Sequence, residues 1–174
     1  TDSVWRAVDS NATIHRAQYS ADMGAPYCTL IKLSDDSFLV YSSGRGQVES
    51  AKQLLPENPQ LILLAPAAGH TLGLEEWQNA FLKTTVIASI EANARIREKT
   101  SIITVQDPDS IHRSLPDHVQ LHVVPANKLG EIWVSIETDE AGGTIYWAVC
   151  DSFMNLSELG VGLFTRIFFK LYGL

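Results

Sequence analysis

Cysteine is scarce in this chain of 174 residues, which contains only Cys28 and Cys150. Each lies in an apolar stretch, and neither has the second cysteine of a CxxC pair. A free cysteine in such a stretch usually packs as a small hydrophobic residue. The sequence therefore predicts two buried, reduced thiols, which favours a reducing compartment and a cytoplasmic location.

Basic residues are also few and never form a run. The 13 lysines and arginines stand against 20 acidic residues, for a formal net charge of -7. A negative surface repels phosphate backbones, so we expect no nucleic-acid partner. No secretory signal is visible near Thr1. The longest apolar run, residues 159–172, is interrupted by Arg166 and Lys170 and is too short to span a bilayer.

The overall composition is that of a globular protein, with 45% hydrophobic and 19% charged residues and no repeat or linker. We predict a single domain covering residues 1–174. Alternation and turn residues predict strands at residues 4–8, 12–18, 27–33, 38–41, 60–64, 85–88, 119–124, 131–137 and 144–149. Helical spacing predicts helices at residues 47–55, 74–82, 90–99 and 160–172. Two sheets packed face to face with helices outside would satisfy this order.

Residues 61–88 form the most informative segment. A buried strand leads into a small-residue loop with one histidine, then Gly73-Leu74 and an amphipathic helix, and then a second buried strand. This order resembles the metallo-β-lactamase superfamily, in which the strand ends in a His-x-His-x-Asp-His loop followed by Gly-Leu and a helix. The resemblance implies an α/β (α+β) fold, the αββα four-layer sandwich. Compared with that sandwich we expect a C-terminal portion to be missing, since the sequence ends at Leu174.

Most of the metal-ligand positions of that superfamily are replaced. The loop positions fall on Ala65, Ala67, Gly69 and His70, so only His70 keeps a ligating side chain. Two more ligand positions lie outside the loop: Asn127 replaces a ligand histidine, and Asp151 keeps a carboxylate that bridges two metals in the superfamily. Ser42 replaces the acidic residue of an Asp-Thr-Gly-like turn that follows a strand in the superfamily. The resemblance thus implies a metal role for His70 and Asp151. A zinc site needs about three protein ligands, so these two alone predict weak binding.

The pattern is most similar to a subgroup of the superfamily known only as a domain of unknown function, DUF4336. The similar positions form an Ala-Pro-x-x-x-His run, a Glu-x-Trp helix and an Asp-x-x-x-Asn pair: Ala65, Pro66, His70, Glu75, Trp77, Asp151 and Asn155. The similarity extends from about Tyr27 to Gly173. It implies the fold without implying an activity.

The lost ligands favour a non-catalytic binding or scaffold protein, without a cofactor and with an unknown small molecule or protein as its partner. The alternative is a weak metal-dependent hydrolase in which His70 and Asp151 hold a divalent metal such as zinc. The last predicted helix has an apolar face that is a homodimer contact, a membrane-facing surface, part of the core, or core left open by a missing C-terminal portion: Leu163, Ile167, Phe168 and Leu171.

Several residues leave alternatives open. His70 is either a remnant ligand or a loop histidine bonded to backbone, and Asp151 either has a functional role or caps a turn. Cys150 is a soft metal ligand, a nucleophile or a packed core thiol, and its apolar neighbours favour the core thiol.

Two further patterns are weaker. His112, His118 and His122 are spaced by six and four residues, which fits no strong zinc motif and favours a solvated strand face. The turn at residues 42–46 is a little similar to an anion-binding turn, but it lacks the lysine and the glycine spacing of a phosphate-binding loop.

Overall fold

The structure is a computed structural model that describes residues 4–21, 25–125, 128–139 and 143–150. Its strands are β1 (Arg6–Ala7), β2 (Ile14–Gln18), β3 (Tyr27–Lys32), β4 (Ser37–Tyr41), β5 (Gln60–Leu64), β6 (Lys83–Ile87), β7 (Val119–Val123), β8 (Ile132–Thr138) and β9 (Thr144–Ala148). Its helices are α1 (Val48–Ala51), α2 (Leu74–Ala80), α3 (Ile90–Lys99) and α4 (Pro108–Ile111), the last continued by a 3₁₀ turn. The fold class is therefore mixed α and β, as predicted.

The first sheet has the strand order β1-β2-β3-β4-β5-β6. Strands β1 to β4 pair antiparallel, whereas β4, β5 and β6 pair parallel. The parallel strands are joined through α1 and α2, as crossover connections require. Because β4 and β5 run the same way, their carboxyl ends lie side by side at one edge of the sheet.

The second sheet is a meander of β7, β8 and β9, all antiparallel. Its inward positions are apolar and alternate with outward ones, as the period of two along a strand requires: Val119, Leu121, Ile132, Val134 and Ile136 are buried. These side chains form one cluster with Ile31, Leu39, Leu64 and Ile87 of the first sheet. The two sheets therefore pack face to face.

The opposite face of the first sheet packs against helices. Leu30, Val40 and Leu63 point to this side and share a cluster with residues of α1, α2 and α3: Val48, Ala51, Leu74, Trp77, Ala92 and Ile96. Among the described residues the layers thus run helices, sheet, sheet. No helix of the described ranges is long and apolar enough to cross a membrane.

The predicted helix at residues 90–99 is confirmed, and Ser89 caps it by accepting a hydrogen bond from the Ala92 amide at 3.2 Å. The prediction at residues 47–55 was too long. After Ala51 the amide of Leu54 donates to the Ala51 carbonyl three residues back, so the chain tightens into turns before Pro56.

The helix predicted to reach Leu82 ends at Ala80. Phe81 is extended and buries its ring, which leaves Leu82 97% exposed. Sequence analysis also missed α4, a short helix that Asp107 caps and Pro108 begins. The predicted helix at residues 160–172, with Asn127, Asp151 and Asn155, lies outside the described residues.

Candidate functional site

The candidate site lies where the carboxyl ends of β4 and β5 meet. Ser42 follows β4 directly, and the loop that carries His70 follows β5. The Ser42 amide donates to the Leu64 carbonyl at 3.0 Å, which ties the two strand ends together. The loop is also bonded to the second sheet, because the Ile132 amide donates to the Pro66 carbonyl at 2.8 Å. Residues from both sheets therefore reach the same edge.

Four side chains form a continuous polar chain at this edge. The Tyr19 hydroxyl lies 2.9 Å from Ser42 Oγ, and Ser42 Oγ lies 2.7 Å from His70 Nδ1. On the other side of the imidazole ring, His70 Nε2 lies 2.9 Å from Cys150 Sγ. Tyr19 and Ser42 are buried, whereas His70 and Cys150 are half-buried. These four hydrogen-bonded side chains thus extend from the interior to the partly accessible thiol of Cys150.

The imidazole ring of His70 is oriented by contacts at both nitrogens. When Nδ1 carries the proton it donates to Ser42 Oγ, and Nε2 is then the acceptor that faces the Cys150 thiol. When the ring is charged, Nδ1–H donates to the same oxygen and Nε2–H donates to the sulfur. Either protonation state therefore keeps its hydrogen bonds.

The carboxyl group of Glu131 holds the backbone of Cys150 through a hydrogen bond. Its Oε1 accepts hydrogen bonds from the Cys150 amide at 3.0 Å and from Trp133 Nε1 at 2.8 Å. The residue has no exposed surface, so its carboxyl group depends on such partners. Glu131 thereby holds the end of β9, and with it Cys150, against the loop of His70.

Ser42 adopts a left-handed backbone conformation, with φ of 61°. For a residue with a side chain this conformation costs about 1–2 kcal/mol, and glycine or asparagine would adopt it more readily. A serine here is consistent with a role for its hydroxyl, which contacts both Tyr19 and His70.

The turn after Ser42 is held by α2. A Cβ atom on Gly73 would lie 2.4 Å from the Ser43 carbonyl oxygen and 2.6 Å from the Gly44 carbonyl carbon, so only glycine allows this close approach. Trp77 of α2 donates its indole N–H to the Gly44 carbonyl at 3.0 Å. Gly73 and Trp77 therefore position the turn that carries Ser42.

The described residues fit a metal poorly. Ala65 and Ala67 are fully buried and offer no ligating atom. A tetrahedral zinc bound to one nitrogen at ~2.0 Å and one sulfur at ~2.3 Å would separate those two atoms by about 3.5 Å. His70 Nε2 and Cys150 Sγ are 2.9 Å apart, a hydrogen-bond contact. The part of the chain that the structure describes also holds no group of three or more histidine, cysteine or acidic side chains arranged for a metal.

The prediction of two buried thiols was right for Cys28 and wrong for Cys150. Cys28 has no exposed surface, and burial raises the pKa of its thiol to about 12. Cys150 instead lies two residues beyond the end of β9, half-buried and beside His70. Its apolar neighbours in sequence belong to a strand that is itself only partly buried.

Both ring nitrogens of His70 contact side chains, those of Ser42 and Cys150, which neither sequence interpretation anticipated. Asp151, the other predicted ligand, lies outside the described residues. Of His112, His118 and His122, the last bonds the Ser135 hydroxyl at 2.8 Å and packs its ring against Trp147, and the first two are exposed.

The turn at residues 42–46, which is a little similar to an anion-binding turn, contacts an acidic side chain instead. Its Gly46 amide donates to the Glu76 carboxylate at 2.8 Å.

Neither Glu131 nor Tyr19 was predicted from the sequence to belong to the site. The sequence held a clue to Glu131. It directly precedes β8, and a period of two along the strand places it on the same side as Trp133, away from the other sheet. No sequence pattern indicated Tyr19.

No protein-family model matches the chain, and no curated protein sequence matches it.

Proposed function

We propose that this protein is a divergent metallo-β-lactamase-like protein that has given up metal-dependent hydrolysis and serves as a binding or scaffold protein. The helix, sheet, sheet order of the described layers is compatible with three of the four layers of an αββα sandwich. The resemblance of residues 61–88 to the metallo-β-lactamase superfamily supports the family named in this proposal. Its binding site is the edge where β4 and β5 end, since open α/β sheets bind ligands at the carboxyl ends of their parallel strands.

One observation carries the metal-free part of this proposal: both ring nitrogens of His70 contact protein side chains. Nδ1 is 2.7 Å from Ser42 Oγ and Nε2 is 2.9 Å from Cys150 Sγ. A metal would have to displace one of these contacts, and buried alanines at positions 65 and 67 would supply no replacement ligand. A small molecule or a protein segment that approaches the half-buried edge needs no such rearrangement.

Metal analysis of protein purified without added metal tests this proposal. We expect no stoichiometric zinc, iron or manganese in the wild type, in His70→Ala or in His122→Ala. The His122→Ala variant is the matched control, because His122 also bonds a serine hydroxyl but lies on the second sheet. About one equivalent of metal in the wild type and in His122→Ala, lost in His70→Ala and in Asp151→Ala, would overturn the proposal and leave the metal-dependent alternative.

A further inference from the structure

We propose that Cys150 is a covalent modification site that takes up small thiols as mixed disulfides, with His70 as the acceptor of its thiol proton. The sulfur and His70 Nε2 are 2.9 Å apart, which is direct hydrogen-bond contact. A thiol must lose its proton to attack a disulfide, and an imidazole at that distance can receive it without an intervening water. The partly exposed position of Cys150 admits a small reagent.

The reaction balances without a further oxidant. The Cys150 proton passes to His70 Nε2, and the sulfur attacks one sulfur of a small disulfide. The S–S bond of that disulfide breaks, and its second sulfur leaves as a thiolate that takes the proton back from His70. Cys150 is oxidised to the mixed disulfide, and the leaving sulfur is reduced to a free thiol.

The surroundings of the pair hold it in position for this transfer. When Nε2 receives the proton, the imidazole becomes charged, and its Nδ1–H needs an acceptor. Ser42 Oγ lies 2.7 Å from His70 Nδ1 and accepts this hydrogen bond. The Tyr19 hydroxyl lies 2.9 Å from the same Ser42 oxygen. Glu131 fixes the backbone of Cys150 through its amide. This is the arrangement of a nucleophile, a base and a group that orients the base.

The mixed disulfide has no internal thiol to release it. The chain contains only one other cysteine, Cys28. Cys28 is completely buried in the cluster between the first sheet and the helices, whereas Cys150 packs at the margin of the cluster between the two sheets. The two thiols lie on opposite sides of the first sheet, so Cys28 does not reach the adduct. The modification therefore persists until an external thiol removes it.

The test uses 5,5′-dithiobis(2-nitrobenzoate), a small disulfide whose leaving thiolate absorbs visible light, on the folded full chain at pH 7. We expect the wild type to release one equivalent of thiolate in a single fast phase and Cys150→Ser to release none. His70→Ala should slow that phase about tenfold, because an ordinary thiol is only a few per cent ionised at pH 7. His122→Ala should react at the wild-type rate.

Added imidazole supplies a readout that a merely structural role of His70 would not move. It should restore part of the rate in His70→Ala and leave the wild type unchanged, with circular dichroism showing that both are folded. If Cys150 reacts in metal-free wild type no faster than in His70→Ala, the inference is overturned, although the metal-free proposal stands. If a chelator accelerates the wild type, a metal occupies the thiol, and it is the metal-free proposal that fails.

Discussion

Asp9 shows what a single buried carboxylate does in this fold. It lies in the turn before β2, only 5% exposed, and accepts hydrogen bonds from the Thr13 hydroxyl and from the amides of Thr13 and Ile14. Burial by itself raises the pKa of Asp9, but the hydrogen bonds from Thr13 and Ile14 together outweigh it and hold the pKa below its usual range. The ionised form of Asp9 is therefore more stable in the folded state than in the unfolded state.

This lowered pKa sets the sign of a pH dependence. A carboxyl group with a depressed pKa stabilises the fold fully above its unfolded value of 3.8, and that stabilisation is lost as the pH falls through the lower folded value. We expect Asp9→Asn to lower the free energy of unfolding at pH 7 by about 1–3 kcal/mol, because an amide cannot accept all three bonds. Urea unfolding between pH 2 and pH 7 measures it.

The difference between Asp9→Asn and the wild type should shrink as the pH falls below about 4, because the unfolded carboxyl group takes up protons there while the native one is still ionised. Asp36→Asn is the control, since Asp36 is exposed in the loop between β3 and β4. A difference that stays constant down to pH 2 would mean that Asp9 acts through its shape rather than its charge.

Among elements, the start of α2 matters most for the site. Gly73 allows the helix to approach the turn at residues 43–44. This turn then sets the backbone conformation of Ser42. We expect Gly73→Ala to cost about 1–3 kcal/mol in unfolding free energy, because backbone atoms rather than a flexible side chain must move. The displaced turn should also loosen Ser42 from His70 and slow the reaction of Cys150 with the small disulfide.

Gly69→Ala is the matched control for this element, because a Cβ atom there meets no atom within 4 Å. Its unfolding free energy and its thiol reaction rate should stay close to wild type, within about 0.5 kcal/mol. Equal effects of the two substitutions would show that the loop tolerates neither, and that the close approach of α2 is not what positions Ser42.

The elements themselves were largely predictable. Strand β5 was predicted with its observed bounds, and α3 began and ended where its serine cap and its apolar spacing indicated. Such signals act within a few residues, so a single sequence carries them. The errors lie at element ends, as at Phe81, where burial of a ring in the tertiary core overrode helical propensity, and in the short helix α4, which was not predicted.

At the scale of the whole molecule, the layer between the two sheets holds the fold together. Leu39 of β4 is fully buried in that layer. We expect Leu39→Ala to lower the unfolding free energy by about 2–5 kcal/mol, through lost apolar burial and the cavity left behind. Leu82→Ala should change it little, since Leu82 is 97% exposed.

Urea unfolding with two probes measures this and checks whether the layers unfold together. Circular dichroism reports all strands, and tryptophan fluorescence reports both Trp77 beside α1 and Trp133 on the second sheet. We expect coincident transitions in the wild type and in Leu39→Ala, because the two sheets share one cluster. Separate transitions would contradict the idea that this layer couples the sheets.

The sequence by itself determined the local part of this protein: most of the strands and helices and the helix cap at Ser89. Each depends on spacing over a few residues or on the chemistry of one side chain. That Ala65 and Ala67 offer no metal ligand was equally plain from residue type, because a methyl group cannot ligate a metal.

The tertiary structure alone decided what His70 contacts. Ser42 is 28 residues away in sequence and Cys150 is 80 residues away, and no local pattern connects them. They meet because β4 and β5 pair in parallel and because hydrophobic burial stacks the second sheet on the first. Hydrophobic burial is non-directional, so strand pairing and register set which polar side chains become neighbours at the sheet edge.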